Sequence, residues 1–430
     1  MRNRETVLEQ LQKRQELLWL NPELEQTEAG SVINGYKFIH MKAAQNRFMR
    51  FMPYIAKAFP ETAAKRGVIE SQLIEIPAMK DYMNGEGAGI RGRVFVKDDA
   101  RLPIAGSVKA RGGIHEVLKI AETLGQQAGL LHPLDDYAKI DSEEFKAFYG
   151  QYTIQVGSTG NLGISIGRTA ARMGFQAVVH MSSDAKQWKK DLLRSEGVTV
   201  IEYDGDYSQA VAAGRKASEA DEKSFFIDDE NSEALFFGYS TAAMRTLVQL
   251  RKLSIPVGKK HPLFLYLPCG VGGAPGGISF GFKQLFGDAV HCFFAEPVEA
   301  PCFTLGMAGG RYEKSRVQEI GLTGKTAADG LAVASPSAFA CRMMRPLLSG
   351  AFTVSDEHMM NWQKKVMDLE NIRLELSACA GFAGVMDVER SGSAWEEYLS
   401  AHELTDYMDQ ATHIVWGTGG GLMPAESAAG

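Results

Sequence analysis

The sequence predicts an α/β protein with two domains, in which parallel sheet is flanked by helices and preceded by a helical N-terminal extension. Three observations predict it. The chain has 430 residues, more than one hydrophobic core usually takes. Apolar strand-like runs alternate with segments of helical periodicity, the order that right-handed crossovers turn into parallel sheet. Three of those runs end in glycine-rich turns, "VGSTGNLG", "CGVGGAPGG" and "GTGGGL", at the carboxyl ends of strands where open sheets bind ligands.

Taken in order, the pattern from about Met1 to Ala78 is helical. It includes the charged amphipathic stretch "MRNRETVLEQLQKRQELLWLNPE" and the segment "AQNRFMRFMPYIAKAFPETAAKRG", which breaks at Pro60. "GRVFVKDD" alternates like a strand, "ARLPIAGS" is a loop, and a helix begins near Lys109. "YTIQV", the turn "GSTGN" and a helix through Arg172 follow, then the strands "FQAVVHM" and "VTVIEY", each with a helix after it. "SFFID", a long helix, "LFLYLP", the glycine stretch, a helix from Ile278, "HCFFAEP" and finally "THIVW" complete the series. Residues 150–240 are expected to form the smaller α/β domain, with 1–149 and 241–430 as the two parts of a larger one.

Composition narrows the chemistry. With 45% hydrophobic and 23% charged residues the chain reads as an ordinary soluble globular protein. A net charge of −6 with dispersed basic residues disfavours nucleic acid as a partner. No apolar run is long enough to span a membrane and no leader-like segment is present, so no membrane partner and a cytoplasmic location are expected. The five cysteines are odd in number and never spaced C-x-x-C, which argues against structural disulfides and a zinc site. The nine histidines lack H-x-x-x-H spacing and read as structural, so no metal-hydrolase site is expected.

"CGVGGAPGG" suits a phosphate, because consecutive glycines expose backbone N–H groups and the next helix adds its dipole; a tight crossover is the alternative. It is not a P-loop, which ends in G-K-[ST], and Pro275 takes the last position of a dinucleotide fingerprint. "GISFG" matches a nucleophile elbow in letters, but no strand precedes Ser279. Lys109 stands at a helix start, where the dipole disfavours an ammonium and favours a neutral nucleophile. Gly112 and Gly113 read as letting the backbone run close to a ligand. A lysine nucleophile and a separate phosphate cradle are the parts that a Schiff base with pyridoxal 5′-phosphate needs; an exposed solvated lysine is the plain alternative.

"GSVKARGG" resembles the S-x-K-x-R-G segment of the pyridoxal-phosphate-dependent serine and threonine dehydratases of fold type II, the tryptophan synthase β-like enzymes. "STGNLG" resembles their S-x-G-N-x-G substrate loop, and "AVVHMSSDAKQWKKDLLRSEGVTVIEY" their mobile-domain segment. Matching segments run from about residue 50 to 425, and the likeness is strongest to the bacterial branch that acts on D-serine. The resemblance implies two open, twisted, mostly parallel sheets, with a large cofactor domain and a smaller mobile one. It implies that Lys109 forms the internal Schiff base and is the base at Cα, that Asn161 meets the cofactor's 3′-oxygen, that Gly270, Val271, Gly272 and Gly273 hold the phosphate, and that Thr418 meets the pyridine nitrogen. Ala274 departs from the glycine common there. The expected reaction converts D-serine to pyruvate and ammonia, and D-threonine to 2-oxobutanoate; an L-serine or L-threonine dehydratase, or a racemase of the same fold, would keep every cofactor residue.

The turn Ser158, Thr159, Gly160, Asn161 suits the substrate carboxylate through its N–H groups. Asp228 and Asp229, after a strand, read equally as approaching the β-hydroxyl or as turn and helix caps. Glu296 and "AADGLAV" offer oxygens to a monovalent cation, potassium or sodium. The N-terminal extension covers surface that relatives use to dimerise, so a monomer is expected.

Overall fold

The computed structural model describes residues 4–158, 160–183, 185–204, 207–390 and 392–424. Among the described residues there are eleven strands: β1 (Leu18–Leu20), β2 (Leu73–Glu75), β3 (Arg93–Asp98), β4 (Thr153–Gly157), β5 (Gln176–Ser182), β6 (Thr199–Tyr203), β7 (Ser224–Ile227), β8 (Leu263–Pro268), β9 (Val290–Pro297), β10 (Gly350–Val354) and β11 (Thr412–Gly417). They form two sheets, one ordered β1-β10-β9-β8-β11-β3-β2 and the other β6-β5-β4-β7. The small sheet is wholly parallel, and the large one is parallel except for its outermost pairs, β1 with β10 and β2 with β3.

The chain divides into two compact units, the first made of Met1–His40, Ser71–Arg101 and Tyr239–Met423, the second chiefly of Met41–Glu70 and Leu102–Gly238. The first unit holds the seven-stranded sheet. Every residue of β8, β9, β10 and β11 is buried, as parallel strands covered on both faces must be. The second unit holds the four-stranded sheet, whose strands fall within 150–240. Here β6 and β7 are partly exposed.

The eight strands read from the sequence are all present. The N-terminal stretch differs from its expected helicity, because the helix stops at Gln12 and "LWL" is strand β1, antiparallel to β10. Leu17, Leu18 and Trp19 are buried there; burying three consecutive apolar residues suits an edge strand better than one helix face. The next helix, Phe38–Ala58, carries Pro53 and ends before Pro60 as expected. β2 also lies in the stretch read as helical.

Candidate active site

In the second unit, Lys109 is the first residue of the helix Lys109–Gln127. Its Nζ donates to Asp229 Oδ2 at 3.3 Å, so the helix start is not the only field acting on it. Asp229 Oδ1 is buried and has no hydrogen-bond partner among the described residues, a costly state for a carboxylate oxygen. Asp228 is placed otherwise. It accepts from Arg215 Nη2 at 2.8 Å, Asn231 Nδ2 at 3.1 Å and the Glu230 N–H at 3.0 Å, which is turn chemistry. The two adjacent aspartates, equivalent in the sequence, thus have different surroundings.

Ser107, two residues before the lysine, is fully buried, and its Oγ has no hydrogen-bond partner among the described residues. For Gly112 and Gly113 the structure shows close packing between helices. A Cβ on Gly113 would lie 2.6 Å from Ser165 Oγ, and Gly112 Cα stands 3.0 Å from where a Cβ on Gly238 would sit. Helices meet closely there, and a side chain would push them apart.

The turn after β4 leads into the helix Asn161–Met173, with Asn161 at its first position. Thr159 lies outside the described residues. The Ser158 N–H donates to His180 O at 2.9 Å, and Ser158 Oγ accepts from the Gly160 and Gly163 N–H groups at 3.2 and 3.0 Å. A serine hydroxyl therefore caps this helix start, and the N–H groups of Ser158 and Gly160 are engaged within the chain. That narrows the expected run of carboxylate donors. A group not anticipated from sequence stands beside them: Lys189, only 3% exposed, puts Nζ 3.6 Å from where a Cβ on Gly160 would be. A lysine at helical spacing in "KQWKKDLLRSEG" reads as solvated, so nothing in the sequence marks it.

In the first unit, the glycine turn Cys269–Gly272 joins β8 to the helix Gly273–Phe286. Its carbonyls are tied back. Gly270 O accepts from the Cys269 and Cys302 thiols at 3.4 and 3.5 Å, Val271 O from the Ser337 N–H at 2.8 Å, and Gly272 O from the Gly276 N–H at 2.9 Å. Among the described residues no hydrogen bond uses the N–H groups of Gly270, Val271, Gly272 or Gly273. Carbonyls held and N–H groups left at a helix start make an anion nest. Gly272 sits at φ +102°, and a Cβ there would stand 2.5 Å from Phe303 Cε2, so only glycine fits.

Thr418 follows β11, which pairs in parallel with β8, so it belongs to the same carboxyl edge of the sheet as the glycine turn. β3, on the other side of β11, ends there in three buried charged residues that the alternating pattern did not reveal. Lys97 Nζ donates to Ser71 O and Gln249 Oε1 at 2.9 and 2.8 Å. Asp99 accepts from Ser71 Oγ at 2.6 Å and from Trp416 Nε1 at 2.8 Å, which anchors the end of β11 just before Thr418. Burial pushes the Asp98 carboxyl up to about 6. Two consecutive aspartates closing a strand in "VFVKDD" were the available signal.

Glu296 is fully buried and accepts from the Phe303 and Thr304 N–H groups at 2.7 and 2.8 Å. It caps the helix Cys302–Gly309 with both oxygens, and burial pushes its carboxyl up to about 7. Among the described residues no three His, Cys, Asp or Glu side chains are grouped to hold a metal ion, and no helix is long and apolar enough to cross a membrane.

Comparison with known proteins gives this geometry a context. The chain is 52% identical over 413 residues to a probable D-serine dehydratase of Bacillus mycoides (strain KBAB4), covering 96% of this chain and 92% of the relative. It is 50% identical over 421 residues to a probable D-serine dehydratase of Bacillus cereus (strain 03BB102), covering 98% and 94%. Among solved structures, diaminopropionate ammonia lyase from Escherichia coli in complex with D-serine matches with a TM-score of 0.71 at 17% identity, over 94% of each chain. Maize serine racemase matches at 0.63 and 18%, over 91% of this chain and 96% of its own. At such identities these structures speak for the fold, which is the two-sheet α/β architecture implied by the resemblance. Residues 65–398 match the family described as pyridoxal-phosphate dependent enzyme, and with relatives this similar over nearly its whole length, the chain belongs to that family.

Proposed function

We propose that the protein is a D-serine dehydratase: water is eliminated from D-serine, and the aminoacrylate released takes water up again as it hydrolyses to pyruvate and ammonia, with D-threonine as a second substrate yielding 2-oxobutanoate. The observation that carries the chemistry is the Lys109 amine 3.3 Å from an aspartate whose second oxygen is buried and has no partner among the described residues. The named relatives supply the substrate. The residues fit pyridoxal phosphate on a further observation: at Gly270 to Gly273 the N–H groups are unengaged while three carbonyls are held, which suits a phosphate and repels no anion.

In this reading Gly270, Val271, Gly272 and Gly273 hold the phosphate, Thr418 offers its hydroxyl to the ring nitrogen, Asn161 meets the 3′-oxygen, and Lys109 carries the cofactor. Bound there, pyridoxal phosphate supplies the electron sink that makes the Cα proton of an amino acid removable. Lys109 Nζ takes that proton as general base. Asp229, already in contact with Nζ, relays a proton to the β-hydroxyl so that it leaves as water. Lys189 and the Ser158 to Asn161 turn orient the substrate carboxylate, and a neutral hydroxyl at Thr418 keeps the ring a moderate sink that favours elimination over transamination. Asp228 builds the turn that presents Asp229.

Pyruvate release from D-serine and from L-serine by the purified protein tests this. Turnover of D-serine at least about tenfold faster in kcat/KM, a difference of about 1.4 kcal/mol, is expected. A preference for L-serine would replace the proposal with an L-specific dehydratase of the same fold.

A further inference from the structure

The segment that delivers Lys109 is under backbone strain. Pro103, Ile104 and Ala105 form a three-residue turn closed by the Ala105 N–H donating to Pro103 O at 2.9 Å, with Ile104 at φ +75°. A β-branched residue in the left-handed region is an outlier that persists only where its surroundings hold it. Ile104 is also buried, 3% exposed, so its side chain is not free to turn outward.

What holds it is the helix Asn161–Met173. Arg168 donates through Nη1 to Ile104 O, while its Nε and Nη2 donate to Glu196 Oε1 at 3.0 and 2.7 Å. One turn earlier, Ser165 Oγ donates to the carbonyl oxygen of Lys109 itself at 2.8 Å. Asn161, Ser165 and Arg168 are spaced i, i+4 and i+7, which puts them on one helix face. The face that begins with the candidate cofactor contact Asn161 therefore also grips the lysine segment at two points, five residues apart. The close approach of Gly113 to Ser165 fits the same contact.

We propose that Ser165 and Arg168 are positioning residues: they hold the strained Ile104 turn and the Lys109 backbone in register with Asn161, so that Lys109 Nζ meets the substrate's Cα proton. This rests on the reading of Lys109 as the reactive lysine. A misplacement of about 1 Å in a catalytic group costs on the order of a hundredfold in rate, so a clamp of this kind acts on kcat.

Holoenzyme variants test it with two readouts, steady-state kinetics with D-serine and hydrogen–deuterium exchange over residues 102–113. Arg168→Gln and Ser165→Ala are each expected to lower kcat by about tenfold or more with KM within about threefold, and to speed exchange in that segment. Arg168→Lys, which keeps a donor to Ile104 O, restores part of the loss. Glu196→Gln, which loosens only the other end of Arg168, leaves kcat within about twofold. If Arg168→Gln does not fold, Ser165→Ala alone decides. Wild-type kcat and exchange in both variants, whatever their thermal stability, overturn the proposal. A wild-type protein that releases no pyruvate defeats the proposed function instead, and the exchange readout still judges the clamp.

Discussion

The turn after β8 and the turn after β4 are the same device, a parallel strand running through glycines into a helix, yet they treat their polar groups in opposite ways. After β8 the carbonyls of Gly270, Val271 and Gly272 are tied back and the N–H groups are left. After β4 the Ser158 hydroxyl takes the Gly160 and Gly163 N–H groups, and charge comes from side chains: Lys189 beside the turn, and Lys109 with Asp229 in the same unit. In the proposed reading the first holds an anion with backbone groups, and it tolerates no Cβ at Gly272. The second, in the same reading, would draw its chemistry from side chains. A phosphate that never reacts calls for fixed donors, whereas a group that must give and take protons calls for titratable ones.

The largest effect that separates backbone from side-chain chemistry is expected at the aspartate pair. Asp229→Asn keeps the shape and loses the proton relay, and should lower kcat for D-serine by on the order of a hundredfold or more. Asp228→Asn should leave kcat within about threefold and lower thermal stability instead, through the lost ion pair with Arg215. Equal losses of kcat at both positions would mean that the separation of roles is wrong.

Next in size is one substitution made in both turns. Gly272→Ala forces a side chain to φ +102° against Phe303, a strain of about 1–3 kcal/mol, so cofactor affinity should fall by about ten- to a hundredfold, as read by titrating pyridoxal phosphate and following its absorbance. Gly160→Ala meets only Lys189 Nζ at 3.6 Å. It should leave cofactor affinity alone and raise KM for D-serine, and a loss of cofactor binding there would erase the distinction between the turns.

A smaller effect is expected on stability as pH changes. Burial holds the His115 and His413 imidazoles down to about 3 and about 4, and pushes His180 down as well. All three are neutral in the fold at pH values where the unfolded chain, titrating near 6.5, is already protonated. The unfolded state then binds more protons, so stability is full above pH 6.5 and declines as pH falls toward 4. The raised Asp98 and Glu296 carboxyls act in the opposite sense over the same range, so the histidine share is read as the change in the difference between the melting temperatures at pH 7 and pH 5 when one of these histidines is replaced. Substituting His180, which joins Tyr203 to Gln155 across the small sheet, should flatten the dependence for the second unit's sheet.

Much of the fold was legible in the sequence because buried parallel strands are continuous apolar runs: "LFLYLP", "HCFFAEP" and "THIVW" could hardly be anything else. β1 was not legible, because three apolar residues among charges look the same on a helix face as on a strand, and only the β10 edge that they cover decides. β10 itself, "GAFTV", is short and opens on a glycine. At the site, Lys109 and the glycine turn stood out because each breaks a local rule, a cation at a helix start and a cluster of glycines. The division of Asp228 from Asp229, the burial of Lys189, and the use of Gly112 and Gly113 for packing depend on which residues from distant segments face them, and sequence position carries no trace of that.

Turnover in this reading depends on Lys109 before any other residue. Lys109→Ala, purified and supplied with pyridoxal phosphate and D-serine, tests it by pyruvate release with folding checked by circular dichroism. Removing both the covalent anchor and the base should lower kcat by roughly a thousandfold or more. A folded variant that releases pyruvate within about tenfold of the parent, a change of only about 1.4 kcal/mol in barrier, would show that another group does the chemistry.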